Sequence, residues 1–155
     1  MQLTTLCLLV KEDKILLAMK KRGFGIGKWN GIGGKVEKGE TIETAAAREA
    51  GEEIGVVVDP ADMEKVGNIK FYFKDKPEEW NQHMHIFLVK DWKGEPKESE
   101  EMMPRWYFHH EIPFDAMWPD DKHWLPAVLA GKKIEGKFCF VNEGSKIDEY
   151  DIREI

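Results

Sequence analysis

The sequence predicts an α/β domain in which helices pack in layers on a β-sheet. Three observations lead to this fold class: two apolar runs that open the chain, a capped helix after a glycine-rich segment, and strand-like runs around a second helix. A length of 155 residues suits one domain with a core of its own, so we expect a single domain over residues 1–155.

The first predicted element is a β-hairpin. The apolar runs LTTLCLLV and KILLAMK are joined by the short charged segment KEDK, a pattern that favours two antiparallel strands. The next segment, RGFGIGKWNGIGGKVEKGE, is dense in glycine. It predicts loop and irregular strand whose backbone can approach a ligand closely.

Residues 41–54 are predicted to form an α-helix. Thr41 suits the N-cap position, and Gly55 suits the position that ends a helix. A narrow apolar stripe recurs every four residues, at Ile42, Ala46, Ala50 and Ile54. Its small alanines indicate tight packing against a flat surface, which in this fold class would be the sheet.

The second half of the chain supplies the remaining strands and the second helix. Two strands, VGNIKFYF and HMHIFLVKDW, flank the charged connection KDKPEEWNQ, and a short strand follows in RWYFHHEIP. We predict a helix from Trp118 to Leu129 and two closing strands in KFCFV and KIDEYDIREI. Strands on both sides of a helix, together with a second helix, complete the layered arrangement.

Charge and composition narrow the classes of partner and location. The formal net charge of −6 disfavours binding to long nucleic acid or to anionic membranes, which select basic surfaces. No basic segment precedes the first apolar run, and no stretch reaches the roughly 18 apolar residues of a membrane span, so we expect a soluble, cytoplasmic protein. Cys7 and Cys139 lie in apolar runs and are interpreted as buried free thiols; a disulfide or metal pair is the alternative.

Three glutamates lie in the last turns of the predicted helix, where the helix dipole disfavours negative charge. The spacing of Glu49, Glu52 and Glu53 puts them on one helix face beside the apolar stripe, and Arg48 alone does not balance three acids. They form either a solvated acidic face or a binding site for a divalent cation, because Mg²⁺ and Mn²⁺ prefer carboxylate oxygens.

The spacing around these acids decides between the two interpretations. From Gly34 the chain follows G-x5-E-x7-R-E-U-x-E-E-x-G-U, where U is a bulky apolar residue, and all seven fixed positions match. The segment resembles the Nudix box, and the chain is identified as a member of the Nudix hydrolase family. Ala50 is smaller than the usual occupant of its position, a departure that affects packing. The resemblance implies an α/β/α sandwich around a mixed β-sheet and metal-dependent cleavage of a nucleoside diphosphate linked to another group.

The resemblance also implies which residues bind the metal. Glu49, Glu52 and Glu53 match the carboxylate ligands of the family, and the Gly33 carbonyl is expected to contribute a backbone ligand. The expected ion is Mg²⁺, with Mn²⁺ as the alternative. Arg48 is expected to hold a glutamate in position.

The general base stays open among three glutamates. Glu53 and Glu52 lie on the helix, and Glu101 lies in the later acidic segment KESEEMM, where it could equally be a solvated loop charge. A metal-bound water needs only a weak base within hydrogen-bonding reach. Glu40 is expected to brace the junction between loop and helix.

The segment WPDDKHW is the best guide to the substrate. Trp118 offers an aromatic surface beside two adjacent acids, Asp120 and Asp121. Two such acids can share a proton and so match different donors and acceptors of a purine edge. The alternative is an ordinary helix start, with Pro119 at its first position and acids in its first turn.

Beyond the Nudix box, KKRGFGIGKWNGIGGKV, MWPDDKHW, KFYF and DEYDIREI resemble the MutT-type branch of the family, which hydrolyses oxidised purine nucleoside triphosphates. The resemblance implies that Asn30, Asp120 and Asp121 read the base and that Trp118 stacks on it. Other positions that match the pocket of this branch are Thr5, Lys20, Phe24, Phe71 and Phe73.

Several of these residues have simpler interpretations. Phe71 and Phe73 could be sheet core, Asn30 could lie in a turn, and Lys20 could end a strand in solvent. The segment KPEEWNQHMHIF is slightly longer than the family usually has. It would place new side chains at the pocket rim, with three candidates: Trp80, Gln82 and His83.

The predicted function is Mg²⁺-dependent hydrolysis of oxidised or modified purine nucleoside triphosphates, such as 8-oxo-dGTP and 2-oxo-dATP, to the monophosphate and pyrophosphate, which sanitises the nucleotide pool. One alternative is a Nudix hydrolase for another substrate, such as a dinucleoside polyphosphate or ADP-ribose. Another is a nucleotide-binding Nudix module without catalysis. The predicted partner is a small-molecule nucleotide, and the protein is expected to be a monomer.

Overall fold

A mixed β-sheet of eight strands forms the centre of the protein, and an α-helix packs on each of its faces. The computed structural model describes residues 1–155. The strands are β1 (Gln2–Lys11), β2 (Lys14–Lys20), β3 (Trp29–Asn30), β4 (Met63–Phe73), β5 (Gln82–Val89), β6 (Met102–Phe108), β7 (Ile134–Val141) and β8 (Lys146–Glu154). The helices are α1 (Ile42–Ile54) and α2 (Asp121–Leu129). The predicted α/β/α sandwich is confirmed.

The strand order places the glycine-rich segment inside the sheet. Strands follow the order β6-β2-β1-β5-β4-β7-β8, in which the β1–β5 and β4–β7 pairs are parallel and the others antiparallel. The predicted β1–β2 hairpin is present, but the two strands diverge beyond Leu9 and Leu16. There β3 pairs with β2, and Ile32 and Lys35 form bridges to β1. The glycine-rich segment therefore fills the opening between β1 and β2.

Helix α1 has the caps that the sequence predicts. The Thr41 hydroxyl accepts a hydrogen bond from the Thr44 amide at 3.1 Å, and Gly55 ends the helix with a φ of 73°. Ala46 and Ala50 are fully buried against the α1 face of the sheet, where β1, β2 and β5 contribute the facing side chains. This packing fixes the position of the acidic last turns of α1.

Helix α2 covers the opposite face. Trp124, Leu125 and Val128 are buried there in a core with side chains from β1, β2, β4, β5 and β7. The aromatic rings of Phe71 and Phe140 stack in this core with their centroids 5.6 Å apart. Because α2 packs against these strands, its first turn lies beside the end of the sheet that carries the cavity described below.

Several predicted boundaries differ from the structure: β4 begins at Met63 rather than Val66, β5 ends at Val89 rather than Trp92, and β7 begins at Ile134 rather than Lys137. The strand predicted from Arg105 begins at Met102, because its whole length pairs with β2, and it ends at Phe108 before a single 3₁₀ turn. The second helix begins at Asp121 rather than at Trp118, so Pro119 precedes the helix instead of taking its first position. Neither α-helix is long and apolar enough to cross a lipid bilayer. Cys7 and Cys139 are buried free thiols, as predicted.

Candidate active site

A cavity of about 590 Å³ lies between the glycine-rich segment, the sheet and the start of α2. Most residues predicted for the site contribute to its lining: Thr5, Lys20, Phe24, Asn30, Gly33, Glu53, Phe71, Phe73, Glu101, Trp118, Asp120 and Asp121. The remaining predicted residues, Arg48, Glu49 and Glu52, lie on α1 near Glu53 but outside the lining.

Glu53 brings the acidic end of α1 into the cavity. It is 6% exposed, and its Oε2 atom has no hydrogen-bond partner. Burial, followed by the charges of Glu49 and Glu101, raises the pKa of Glu53 to about 8. A buried carboxylate with an unpaired oxygen costs free energy unless a cation compensates it, so this position fits a metal ligand.

Glu49 lies one turn before Glu53 and packs against the glycine-rich segment. A Cβ atom at Gly34 would lie 2.5 Å from the Glu49 carboxyl carbon, so glycine at this position makes room for the carboxylate. Burial raises the pKa of Glu49, and the hydrogen bond that Arg48 donates to its Oε1 atom at 3.0 Å opposes this effect. Two poorly solvated carboxyl groups, those of Glu49 and Glu53, are thus held close together.

Arg48 ties α1 to the segment before it. Its Nε and Nη2 atoms donate to the two carboxylate oxygens of Glu40 at 2.8 and 2.9 Å, and Nη2 also donates to the Lys35 carbonyl at 3.0 Å. Glu40 in turn accepts from the Glu37 amide at 2.9 Å. The hydrogen bonds from Arg48 lower the pKa of Glu40, which keeps the bidentate pair ionised. The end of the glycine-rich segment is thereby fixed relative to α1.

Glu52 and Glu101 are placed differently from the two buried glutamates. The Glu52 side chain is 61% exposed and accepts from Arg48 Nη1 at 3.2 Å. The Glu101 side chain is 57% exposed and lies 3.3 Å from Arg22 Nη2. No three His, Cys, Asp or Glu side chains converge to form a ready metal site. The third carboxylate of the predicted metal set, Glu52, is turned toward Arg48 in this conformation.

Asp120 and Asp121 form a buried pair of carboxyl groups at the start of α2, and each is 3% exposed. Trp124 Nε1 donates to Asp120 Oδ2 at 2.8 Å, whereas Asp121 Oδ2 has no partner. Burial raises the pKa of both groups, and the charge of Asp120 raises the pKa of Asp121 further. The pair therefore retains a proton more readily than solvated aspartates do, with Asp121 as its favoured carrier.

Trp118 forms a flat wall in the same cavity. An added Cβ atom would come within 3.2 Å of its ring at Gly25 and within 2.6 Å at Gly144, so the indole fits closely between two backbone segments. The ring of Phe24 is centred 5.1 Å away and inclined by 39°. This packing fixes the plane of Trp118 without any hydrogen bond to its indole.

The other residues predicted to bind the substrate lie on strands that border the cavity. Phe71 and Phe73 are sheet core and also line the cavity, so the simpler interpretation does not remove them from the site. Asn30 lies in β3, and its Oδ1 atom accepts from the next backbone amide at 2.9 Å. Lys20 ends β2 at the cavity wall, and Thr5 Oγ1 is buried without a hydrogen-bond partner.

Comparison with known proteins identifies the family. A family model described as NUDIX domain matches residues 1–128, which include every acidic residue discussed above. The chain belongs to the Nudix family. Members of the Nudix family generally use a divalent metal ion, and this Nudix chain is an enzyme of the pyrophosphohydrolase class.

The Nudix chain is similar over most of its length to two vertebrate proteins named oxidized purine nucleoside triphosphate hydrolase. The Mus musculus protein is 47% identical over 154 residues, which cover 99% of this chain and 96% of the relative. The Danio rerio protein is 51% identical over 139 residues, which cover 90% of this chain and 86% of the relative. Among solved structures, the MutT protein of Bacillus halodurans matches with a TM-score of 0.84 at 28% identity, covering 98% of this chain and 97% of that one.

The cavity of this Nudix enzyme contains residues that the sequence did not single out as site residues, notably Thr4, Lys28 and Lys35. Of the three rim candidates, Trp80 and Gln82 line the cavity, whereas His83 does not and hydrogen-bonds to Asn68 at 2.8 Å. The two lysines could have been predicted from the sequence, because each directly follows a glycine of the segment that is expected to approach a ligand. Thr4 could be found only from the register of β1.

Proposed function

We propose that this Nudix enzyme hydrolyses oxidised or modified purine nucleoside triphosphates, such as 8-oxo-dGTP and 2-oxo-dATP, to the monophosphate and pyrophosphate. The observation that carries the proposal is the buried pair of Asp120 and Asp121, which lines the same cavity as Glu53. The names of the Mus musculus and Danio rerio relatives support the same substrate class.

Base recognition is assigned to the two aspartates and the side chains beside them. An ionised carboxylate accepts a hydrogen bond from a ring N–H, and a protonated carboxyl group donates to a carbonyl oxygen or a ring nitrogen. Because Asp120 and Asp121 can share one proton, the pair can match purine edges that differ in the arrangement of donors and acceptors. Trp118 supplies the stacking surface, and the side-chain amide of Asn30 supplies further polar contacts.

Metal binding is assigned to the acidic end of α1. Glu49, Glu52 and Glu53 would hold the divalent ion together with the Gly33 carbonyl, and we propose Mg²⁺, for which Mn²⁺ can substitute. When bound, the ion neutralises phosphate charge and activates the phosphoanhydride for attack by water. The buried, unpaired Oε2 atom of Glu53 and the crowded carboxylate of Glu49 support this assignment.

Proton transfer is assigned to Glu53. Glu53 lines the cavity, and its buried Oε2 atom has no protein partner, so this carboxylate can accept the proton of the attacking water. Glu52 and Glu101 are the weaker candidates, because both are exposed and each is paired with an arginine, Arg48 or Arg22. Arg48 acts as a positioning residue, since it holds Glu49 and the loop that carries the metal-binding carbonyl.

Phosphate binding is assigned to three lysines of the lining, Lys20, Lys28 and Lys35. None of them forms an ion pair with a carboxylate, so their charges are available to a triphosphate. The same lining holds five acidic residues (Glu53, Glu79, Glu101, Asp120 and Asp121), so the lysines place positive charge among carboxyl groups that would otherwise repel a triphosphate.

Domain organisation, oligomeric state and location are also proposed for this enzyme. We propose that residues 1–155 act as a single domain and that the enzyme is a monomer, because the residues assigned to the metal and to the base lie in or beside one cavity. A cytoplasmic location fits a nucleotide substrate and two free thiols.

Product analysis tests the proposed function. The purified enzyme is incubated with 8-oxo-dGTP, 2-oxo-dATP, O6-methyl-dGTP, N6-methyl-dATP, dGTP and ADP-ribose, with and without Mg²⁺. We expect metal-dependent release of pyrophosphate and the nucleoside monophosphate, with the highest kcat/KM for a modified purine. A preference for ADP-ribose would replace the proposed substrate class, and the absence of pyrophosphate from every nucleotide would leave only a binding module.

A further inference from the structure

Trp80 is a second tryptophan of the cavity, and none of the roles assigned above requires it. It lies in the connection between β4 and β5, where it is half-buried and contributes to the lining. Its ring meets the ring of Phe24 edge to face, with centroids 4.9 Å apart and an interplanar angle of 89°. It also contacts Phe73, with centroids 5.7 Å apart.

Trp80 completes a closed circuit of five aromatic rings in the cavity lining. Starting from Trp118, the successive centroid distances are 5.1 Å to Phe24, 4.9 Å to Trp80, 5.7 Å to Phe73, 5.3 Å to Phe140 and 6.5 Å back to Trp118. All five side chains line the cavity. Trp80 is the link between the glycine-rich loop and β4, so its loss would open the circuit.

The connection that carries Trp80 is anchored before any ligand binds. Asn81 Oδ1 accepts from the Phe73 amide at 2.9 Å, and the Asn81 carbonyl accepts from the first residue of β1. Lys76 Nζ pairs with Glu143 at 2.9 Å and lies 5.1 Å from the centroid of the Trp80 ring. The indole is therefore preorganised, which lowers the entropy cost of using it to bind a ligand.

The Trp80 side chain keeps unused binding capacity. Its indole N–H donates to no protein group, unlike that of Trp124, which is bonded to Asp120. Phe24, which packs on Trp80, is 43% exposed, so apolar ring surface at the cavity rim faces water in the free protein. Both features are satisfied when a flat ligand with polar edges enters the cavity.

We infer that Trp80 contacts the bound nucleotide and is a specificity-determining residue of this enzyme. The inference rests on the proposed function, because it takes the base of the substrate to lie among the rings that surround Trp118. Trp80 adds a second indole surface, which favours a bicyclic purine over a pyrimidine. Its N–H adds one donor for an oxygen or nitrogen acceptor of the nucleotide.

The test compares Trp80→Ala and Trp80→Phe with the wild type and with Trp92→Ala as a matched control. Trp92 stacks on Trp106 with centroids 5.8 Å apart on the other face of the sheet. The dissociation constants of 8-oxo-dGMP, dGMP and dCMP are measured together with kcat and KM for 8-oxo-dGTP. Thermal unfolding checks that each variant is folded.

We expect Trp80→Ala to weaken 8-oxo-dGMP binding by roughly tenfold, in the range for loss of one aromatic–base contact. We expect KM to rise by a similar factor with kcat nearly unchanged, and the preference for dGMP over dCMP to shrink. Trp80→Phe separates the two contributions: retained affinity assigns the effect to stacking, and lost affinity assigns it to the N–H donor. Trp92→Ala should bind as the wild type does.

Two results overturn the inference. Unchanged binding by folded Trp80→Ala would show that the nucleotide does not touch this side chain. A fall in kcat with unchanged dissociation constants would show a purely structural role. A wild-type enzyme that neither binds a purine monophosphate nor hydrolyses a purine triphosphate would instead refute the proposed function itself, which keeps the two failures distinguishable.

Discussion

Trp124 donates a hydrogen bond from its indole N–H to Asp120 Oδ2 at 2.8 Å, and both residues are buried. They are four residues apart and meet at the first turn of α2. The bond favours the ionised form of Asp120, which leaves the proton of the pair on Asp121. The core of the protein, rather than solvent, thus sets the protonation of the group assigned to base reading.

Trp124→Phe should damage both the fold and the site, because it leaves a buried carboxylate without its donor. We expect the free energy of unfolding to fall by about 1–3 kcal/mol and KM for 8-oxo-dGTP to rise. Denaturant unfolding and steady-state kinetics measure the two effects. Trp106→Phe, on the α1 face, is the control for loss of indole volume. Equal changes in the free energy of unfolding and in KM for Trp124→Phe and Trp106→Phe would contradict the role given to the hydrogen bond.

Asp121→Asn should make the protein more stable at high pH. The folded-state pKa of Asp121 lies well above its ordinary value of 3.8, so its contribution to stability is lost as pH rises through the folded-state pKa. The amide keeps the shape and removes the buried charge. Melting temperatures measured from about pH 4 to about pH 8 should agree at the acidic end and favour the variant at the basic end. If the melting temperatures of variant and wild type change with pH in the same way, the pKa of Asp121 is not raised in the folded protein.

Asp120→Asn should weaken base recognition more than metal binding. The amide oxygen can still accept from Trp124, so the fold is retained, but the negative charge that accepts from a purine N–H is lost. We expect the affinity for 8-oxo-dGMP to fall by roughly ten- to a hundredfold, the range for a hydrogen bond to a charged group. The Mg²⁺ concentration for half-maximal activity should stay constant. The assignment fails if the variant still separates 8-oxo-dGMP from dGMP as the wild type does.

Local signals in the sequence were sufficient to predict α1 and the β1–β2 hairpin. Thr41 and Gly55 determine where α1 begins and ends, and these signals involve only neighbouring residues. The start of β6 at Met102 was not predictable in this way, because it depends on pairing with β2, which is about eighty residues away in the chain. Acidic residues before Met102 made that stretch look like loop.

The site was predictable in composition and less so in arrangement. The i,i+4 spacing allows Arg48 to pair with Glu52, and the structure contains this pair, but spacing does not show that Glu53 is buried. The adjacent aspartates were visible in the sequence, whereas the hydrogen bond from Trp124 that distinguishes them is seen only in the structure. Both contacts join residues four apart, so spacing shows that they can form, whereas the burial of Glu53, Asp120 and Asp121 depends on tertiary packing.

Glu53→Gln should lower kcat by at least about a hundredfold, because it removes the proposed proton acceptor and a metal ligand. Binding of 8-oxo-dGMP in the absence of metal should change little. Glu101→Gln is the matched comparison, since Glu101 also lines the cavity but is exposed and paired with Arg22. A larger loss of kcat in Glu101→Gln than in Glu53→Gln would transfer the role of general base to Glu101.

We propose that one cavity reads a damaged purine with its aspartates and positions the triphosphate for cleavage with its glutamates. The test is the ratio of kcat/KM for 8-oxo-dGTP to kcat/KM for dGTP. This ratio is measured with Mg²⁺ in the wild type and in the Asp120→Asn, Asp121→Asn double variant. We predict a ratio well above one in the wild type and a ratio near one in the double variant, with cleavage itself retained. A wild-type ratio near one, or a ratio that survives both substitutions, would contradict the claim.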